Sequence, residues 1–417
     1  MQRVIWICVI SVCGCDDRVA TGMITDGPVD VMPGDGGGDR ADNEAPDGQD
    51  EGARPDTPDV DGSVSITCTL RRVLVSTSNF ASSGLSMFDP ISSTAMVGPS
   101  AAQPDNVPGW APCRGAVLHR DRGVLTLLDP LDPLGTTRVE IDLNPAGGSP
   151  PYATNPQRVL SVSNDRAYVP VLARNEVVIV DLQGDSPTVS SRIDLSSFVS
   201  AADPDGLVEA VDAILIGDRA YLALARYSFD MAFAIHFDAG SVLAVVDTTT
   251  DALFDMDPAI AGVQGIELEG NNPWRGLAFD AGNNRLLVGS TGDGFALDGG
   301  IEAIDLSTNR SIGYLLTETE LGAEINGFAF FDPTLAYVLA GRDVFPWNLT
   351  ANTVGTTPIA IDIDGVLLLE DRVFTWTRTG DAAGLRMFDA ADGHELTRSV
   401  GPWTFGILPI SALSAMP

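Results

Sequence analysis

The sequence predicts an all-β protein built as a seven-bladed β-propeller, with four antiparallel strands in each blade. The first observation is a repeated unit in which an apolar strand closes on Asp or Asn before a turn. The second is a tight polar turn that leads into another apolar strand. The third is the spacing, because successive copies of the first unit are 39 to 66 residues apart, around the ~40 to 50 residues of a four-stranded blade.

The strand-closing unit occurs seven times. Its apolar residues favour a pleated strand, and the Asp or Asn that follows favours a turn. In the second blade, Leu128-Asp129 competes with Ile141-Asp142 for this position. The seven copies are Phe88-Asp89, Ile141-Asp142, Val180-Asp181, Val246-Asp247, Ile304-Asp305, Trp347-Asn348 and Phe388-Asp389.

The second unit is predicted to join the first and second strands of blades. Its Asn, Asp and Gly residues tolerate the positive φ angles of tight hairpin turns. Copies occupy residues 121–125, 164–168, 217–221, 283–287 and 370–374. The segment 402–408 reads as an innermost strand without a second strand after it. We therefore predict that it completes the first blade and closes the ring.

The N-terminus predicts export. Residues 1–14 combine a basic start with an apolar run that is too short to span a bilayer, as in a signal peptide. The string Val12-Cys13-Gly14-Cys15 resembles the bacterial lipobox. This resemblance implies lipidation at Cys15 and a protein anchored in the cell envelope, on the inner or the outer membrane. Plain secretion is the alternative.

Residues 15–62 are predicted to form a disordered tether. From Asp16 to Gly62 the chain contains no Phe, Tyr or Trp and carries 14 acidic residues against three arginines. Such a segment cannot bury enough apolar surface to fold, and its like charges favour an extended chain.

The remaining residues, 63–417, are predicted to form one propeller domain. The whole chain has a formal net charge of −33, so a partner made of nucleic acid is not expected. Cys68 and Cys113 are the two cysteines left after the signal peptide and Cys15, and a disulfide between them is predicted for an oxidising compartment. Two reduced thiols are the alternative.

The alternation of strands closing on Asp with a downstream Pro and a new apolar strand resembles the YVTN-type and lactonase-like seven-bladed propellers. The resemblance covers roughly residues 71–411. It implies an architecture, and it allows a metal-dependent hydrolase whose site lies in the central channel, with Glu209 and Asn326 as two ligands. It identifies no substrate and no catalytic nucleophile.

Two groups of residues are predicted to bind a ligand on the face where the long loops emerge. One group belongs to the aromatic and acidic insertion 227–240, and the other lies near the channel mouth at equivalent blade positions. They are Tyr227, Phe229 and His236 in the first group, and Arg158, Glu209, Trp274, Arg275, Asn326 and Trp403 in the second. Alternatively, the aromatic residues pack back on the propeller and the polar ones satisfy one another.

Calcium or another divalent cation is the one cofactor that the sequence suggests. Clustered carboxylates next to glycines suit calcium, although Asp-Gly turns also occur for backbone reasons alone. The candidates are Asp203, Asp205 and Glu209 in one loop, and Asp293 and Asp298 in another.

The leading interpretation is a monomeric, non-catalytic binding or scaffold module for an envelope protein, peptide or glycan. The hydrolase is the alternative.

Overall fold

The structure is a computed structural model that describes residues 72–78, 82–101, 105–129, 134, 138–145, 154–229, 235–237, 240–294, 296–378, 383–397, 403–404 and 410–415. The described residues belong to one compact unit. The predicted signal peptide, the lipidation site Cys15, the tether and Cys68 lie outside them. No helix in the described ranges has the length and apolar character needed to cross a membrane.

Almost all regular structure is β. The first three blades use β1 (Val73–Ser78), β2 (Ser83–Asp89), β3 (Thr94–Ala101), β4 (Asn106–Ala111), β5 (Arg114–His119), β6 (Val124–Leu128), β7 (Arg138–Asp142), β8 (Leu160–Ser163), β9 (Arg166–Pro170), β10 (Glu176–Asp181) and β11 (Thr188–Asp194). A single 3-10 turn, Ser196–Phe198, follows within this described part.

The remaining strands continue in the same order. They are β12 (Ala210–Ile216), β13 (Arg219–Leu224), β14 (Ser228–Phe229), β15 (Ile235–His236), β16 (Val242–Asp247), β17 (Ala252–Phe254), β18 (Ile266–Glu267), β19 (Leu277–Asp280), β20 (Arg285–Ser290), β21 (Gly300–Asp305), β22 (Arg310–Thr317), β23 (Ile325–Asp332), β24 (Leu335–Ala340), β25 (Asp343–Asn348), β26 (Thr353–Val354), β27 (Gly365–Leu369), β28 (Arg372–Thr377), β29 (Gly384–Asp389) and β30 (Ile410–Ala415). One short helix, α1 (Glu318–Leu321), lies between β22 and β23.

The strands form seven antiparallel blades, which confirms the predicted fold. From inner to outer strand, blade 2 is β4-β5-β6-β7, blade 3 is β8-β9-β10-β11, blade 5 is β19-β20-β21-β22 and blade 6 is β23-β24-β25-β26. In blade 4 the outer strand is split into β17 and β18, which pair with opposite ends of β16. Blade 7 has β27-β28-β29, and isolated bridges from Glu395 and Trp403 occupy the outer position.

The first and last strands of the described chain meet in blade 1, whose order from the centre outward is β30-β1-β2-β3. The innermost strands of adjacent blades contact one another around a closed ring. Closure by the C-terminus is therefore confirmed, but the predicted residues were wrong. The closing strand is β30, whereas Trp403, within the predicted segment 402–408, pairs with Leu385 on blade 7.

The core lies between the blades. The described apolar residues form seven clusters, and each cluster joins two adjacent blades. Blade 6 contributes Trp347, which is fully buried. Both faces of every blade pack on a neighbouring blade. The strand sequences are therefore continuous apolar runs, and apolar and polar residues do not alternate along them.

The repeated Asp or Asn ends the third strand of a blade because its side chain bonds to the turn that directly follows. The carboxylate Oδ1 of Asp247 accepts hydrogen bonds from the backbone N–H and the hydroxyl of Thr249, at 2.8 and 2.6 Å. Asp89, Asp181, Asp305, Asn348 and Asp389 make equivalent turn bonds. In blade 2, Leu128 ends the third strand and Asp142 ends the outermost one, so Asp142 was the wrong choice.

Four of the five predicted turn units join first and second strands, as expected. The exception is 121–125, which joins the second and third strands of blade 2. Cys113 lies in the turn between β4 and β5, with a φ of +53°. Its disulfide with Cys68 stays a prediction because Cys68 is outside the described residues.

Candidate functional site

The antiparallel strand order fixes where the loops emerge. Connections from second to third strands, and from an outermost strand to the next blade, share one end of the propeller, which we name the loop face. Blades 3 to 5 carry the long loops on this face, namely 199–209, the insertion 225–241, 268–276 and 291–299. The candidate site is built from these four segments.

Loop 199–209 leads from blade 3 into β12 of blade 4 and is held from the side of blade 3. The side chain of Asn175 donates to the carbonyl of Gly206 at 2.8 Å and accepts from the backbone N–H of Val208 at 3.0 Å. Asp203 is 8% exposed in this loop, and its Oδ2 has no hydrogen-bond partner among the described residues. A fixed loop therefore carries a buried carboxylate oxygen with unused hydrogen-bonding capacity.

Glu209 ends this loop in an uncommon backbone conformation, with a φ of +42°. Its side chain is only 3% exposed, and its Oε2 accepts from the backbone N–H of Tyr227 at 3.2 Å. Burial raises the pKa of Glu209 to about 9, and the negative charges of Asp205 and Asp203 act in the same direction. At neutral pH, Glu209 is therefore a neutral carboxylic acid.

Arg226 lies opposite Val208, next to Glu209, and also has a positive φ, +53°. Its backbone N–H donates to the carbonyl of Val208 at 3.3 Å. Burial lowers the pKa of Arg226, and the charges of Asp203 and Glu267 oppose that effect. Its Nε is buried without a partner in the described part of the chain. Two non-glycine residues with positive φ at adjacent positions are typical of functional sites.

The insertion of blade 4 forms a small hairpin from β14 and β15. Tyr227 is 6% exposed at its base, with its ring centroid 5.3 Å from that of Phe229 and 6.3 Å from that of Phe237. Phe229 itself is 49% exposed, and His236 is exposed beside it. The structure thus combines both sequence interpretations, since Tyr227 and Phe237 pack inward while Phe229 faces solvent. Residues 230–234, 238 and 239 lie outside the described residues.

Blade 5 adds buried polar atoms next to this hairpin. Asn272 Oδ1, Ser290 Oγ and Thr291 Oγ1 are buried without a hydrogen-bond partner among the described residues. The neighbouring loop is fixed by Glu302, a fully buried carboxylate that accepts from the backbone N–H groups of Glu269 and Gly270, each at 3.0 Å. The sequence analysis did not select four of these residues, Arg226, Asn272, Ser290 and Thr291. Whether their side chains find hydrogen-bond partners depends on the paths of the surrounding loops, which the sequence does not show.

The structure shows contacts for each of the predicted channel-mouth residues, while their role in ligand binding stays a prediction. Arg158 bridges the inner strands of blades 3 and 4 through its Nη1, 2.6 Å from Asp212 Oδ1. The Asn326 amide donates to the carbonyl of Gly341 at 2.8 Å.

The remaining predicted residues of this group lie elsewhere. Trp274 packs against the apolar cluster between blades 4 and 5, and the backbone N–H of Arg275 donates to the carbonyl of Gly289 at 3.0 Å. Trp403 lies on the outer side of blade 7, with its ring centroid 4.4 Å from that of Phe88. Its predicted place at the channel mouth was wrong, because the closing strand begins seven residues later.

Asp203, Asp205 and Glu209 lie near one another, and the negative charges of the two aspartates raise the pKa of Glu209. Within the described ranges, no group of three or more His, Cys, Asp and Glu side chains could hold a metal ion. The other candidate pair serves a turn, since the backbone N–H of Asp293 donates to Asp298 Oδ1 at 3.1 Å. The described residues therefore offer no ready-made calcium site, and the channel metal that the resemblance implied, with Glu209 and Asn326 as ligands, stays a prediction.

We expect the substitution Glu209→Gln to remove a pH dependence of stability. The pKa of Glu209 rises from its ordinary value of 4.5 to about 9 on folding. The stabilisation that this group provides is therefore complete below the unfolded pKa and is lost as the pH rises through the folded pKa. Since Gln stays neutral, urea unfolding should give similar free energies for variant and wild type near pH 5, and a more stable variant near pH 9.

The exposed Glu140→Gln serves as the control for that experiment, because Glu140 pairs with Arg122 on the surface at 3.1 Å. The control should follow the wild type at both pH values. A Glu209→Gln variant with the same pH slope as the wild type would show that Glu209 is ionised in the folded protein.

Comparisons with known proteins support the architecture. No protein-family model matches the chain, and no curated protein sequence is significantly similar to it. A protein described as a 6-phosphogluconolactonase from Bacteroides uniformis is 13% identical, with a TM-score of 0.52 over 83% of this chain and 99% of that one. A similarly described protein from Bacteroides fragilis is 10% identical, with a TM-score of 0.49 over 83% and 98% of the two chains.

The structure of dihydro-heme d1 dehydrogenase is a third similar one, at 13% identity, with a TM-score of 0.49 over 85% of this chain and 76% of that one. At these identities the comparisons show the fold alone. The chain is a seven-bladed β-propeller that resembles propellers of the lactonase-like kind.

Proposed function

We propose that this protein is a non-catalytic binding module whose ligand docks on the loop face of blades 3 to 5. The observation that supports the proposal is a set of buried polar atoms without a hydrogen-bond partner among the described residues, at Asp203, Arg226, Asn272, Ser290 and Thr291. A buried polar group without a partner costs about 1 to 3 kcal/mol. A site that retains several such groups beside the exposed ring of Phe229 is better explained by a ligand than by stability.

The placement in the cell is part of the same proposal. A signal peptide at 1–14, a lipid on Cys15 and the acidic tether 15–62 would hold the propeller away from the membrane of a bacterial envelope. The partner would be an envelope protein, peptide or glycan. The protein would work as a monomer, since β30 of the same chain pairs with the inner edge of blade 1.

The experiment is a variant-controlled capture assay. The full chain in detergent is incubated with envelope extract, and bound proteins and glycans are compared with those retained by Phe229→Ala. Ile312→Ala is the matched control, because Ile312 is 57% exposed on the outer strand β22, away from the loop face. The proposal requires a species retained by the wild type and the control but lost with Phe229→Ala. Equal retention by all three proteins contradicts it.

The second candidate function is a hydrolase, and one observation favours it. The neutral carboxyl of Glu209 can donate a proton at physiological pH, as a general acid must. Turnover of lactones or glycosides that is lost in Glu209→Gln would support this alternative. Metal analysis of the same preparation, with and without chelator, would show whether a divalent cation takes part.

A further inference from the structure

The loop face carries arginines at a repeated position, directly after the second strand of a blade or a few residues beyond it. They are Arg120 in blade 2, Arg174 in blade 3, Arg226 in blade 4, Arg342 in blade 6 and Arg378 in blade 7. All 24 basic residues of the chain are arginines, and lysine is absent. A recurring arginine with a planar, multi-donor head group is suited to directional hydrogen bonding.

In blades 2 and 6 these arginines fasten loops to the propeller. Arg120 pairs with Asp105 at 2.7 Å. Arg342 pairs with Asp362 at 2.6 Å and with Asp364 at 2.8 Å. Each aspartate precedes the innermost strand of a blade, so the ion pair fixes the path of the loop that enters it.

Blades 3 and 4 break this pattern. Arg174 and Arg226 lie on either side of loop 199–209, which Asn175 holds from one side and the backbone of Arg226 from the other. Among the described residues, neither guanidinium makes a hydrogen bond or an ion pair, and each has a buried Nε without a partner. Asp203 occupies the same loop with its Oδ2 unused. An arginine and an aspartate pair in blades 2 and 6. Around loop 199–209, Asp203 forms no such pair with Arg174 or Arg226 among the described residues.

The charge of the surroundings limits what can bind. Asp205, Glu267 and Glu269 are exposed around the same loops, within a chain of net charge −33. This field disfavours an anionic ligand. The guanidinium groups of Arg174 and Arg226, unpaired among the described residues, oppose a cationic ligand at the same loop.

We propose that the ligand of this site is a neutral glycan. Sugar hydroxyls donate to a carboxylate and accept from a guanidinium at once, so their chemistry suits a loop that carries Asp203 between Arg174 and Arg226. The half-exposed ring of Phe229 offers an apolar surface for the C–H face of the sugar ring. This inference rests on the proposed binding function and names the class of its ligand.

The test is a glycan array probed with the full chain in detergent. The array carries neutral oligosaccharides of the common hexoses, pentoses and N-acetylhexosamines, with uronic-acid and amino-sugar counterparts of the same linkage. We expect a neutral glycan to bind better than both charged counterparts. In titration calorimetry with that glycan, Arg226→Gln and Phe229→Ala should each weaken binding about tenfold.

Arg120→Gln is the matched control, because Arg120 has the equivalent position but pairs with Asp105. It should leave the affinity unchanged. Phe229→Ala is a second test that does not depend on correct folding of Arg226→Gln. The ring of Phe229 is half exposed, so its removal leaves the core intact.

Three results would overturn the glycan inference. They are the absence of any neutral glycan that binds, tighter binding of a uronic or amino sugar, and equal affinity for Arg226→Gln and the control. If a captured envelope protein depends on Phe229 while no glycan binds, the binding function stands and the glycan inference fails. If neither glycan nor protein depends on Phe229, both fail.

Discussion

Removal of β30 is expected to abolish cooperative unfolding of the propeller. This strand is the innermost one of blade 1, where it pairs with β1 from Val73 to Thr77. It also contacts the innermost strands of blades 2 and 7. The indole N–H of Trp110 on blade 2 donates to the carbonyl of Ser414 at 3.0 Å. A chain that ends at Pro409 therefore loses the link that turns seven blades into a ring.

The expected loss is large because several contributions are removed together. β1 would become an open inner edge with unpaired backbone groups, and Leu413 would leave the apolar cluster between blades 7 and 1. Whole domains are stable by only about 5 to 15 kcal/mol. Calorimetry of the truncated chain should show no sharp transition, and protease should cut through the blades.

A chain that ends at Ala415 is the matched control, because it keeps the whole of β30. It should unfold like the full chain. A truncation at Pro409 that melts sharply, near the temperature of this control, would show that the propeller is closed by other contacts.

The second large effect is expected for Glu302→Ala. The carboxylate of Glu302 is fully buried and accepts from the backbone N–H groups of Glu269 and Gly270 and from the hydroxyl of Ser311, the last at 2.8 Å. Its removal leaves three donors without an acceptor. Each unsatisfied buried group costs about 1 to 3 kcal/mol. The bond to Gly270 is buried, whereas those to Glu269 and Ser311 are partly exposed. We therefore expect the free energy of unfolding to fall by about 1 to 3 kcal/mol.

Urea unfolding at neutral pH measures this loss. Glu302→Gln keeps one acceptor oxygen and should be less destabilising than Glu302→Ala. Glu140→Ala is the control, since its exposed ion pair with Arg122 should contribute less than about 1 kcal/mol. If Glu302→Ala is no more destabilising than Glu140→Ala, water has replaced the carboxylate at low cost.

Besides contributing to stability, Glu302 holds a loop of the candidate site, residues 268–276. Glu302 holds the backbone of Glu269 and Gly270, and the same loop carries Asn272, one of the unsatisfied residues of the candidate site. A fully folded Glu302→Gln variant with weakened ligand capture would connect the two roles. We expect the buried carboxylate to act as a positioning residue for the proposed binding face.

The sequence by itself determined the features that depend on local chemistry. Strand-forming residues that end in Asp or Asn predicted seven blades, and the structure shows that Asp247 and its equivalents bond to the next turn of their own chain. Tight polar turns such as 164–168 were found for the same reason. Interactions between residues two or three positions apart do not require knowledge of the fold.

The sequence failed where neighbours in space are distant along the chain. Asp129 and Asp142 both follow an apolar residue, and only strand pairing shows that Asp129 is the one that follows the third strand of blade 2. Trp403 and Leu413 both belong to apolar C-terminal segments. Pairing with β29 places Trp403 on blade 7, while pairing with β1 makes the second segment the closing strand.

The candidate site shows this division most clearly. Arg120 and Arg226 follow equivalent strands, and nothing in their local sequence explains why Arg120 has an aspartate partner while Arg226 has none among the described residues. The partner Asp105 precedes β4, whereas Asp203 lies on loop 199–209, whose path is set by distant contacts such as those of Asn175 with residues 206 and 208. Local interactions thus determined the blades, and only the tertiary structure decided which polar groups remain for a ligand, because burial and pairing depend on how separate loops pack.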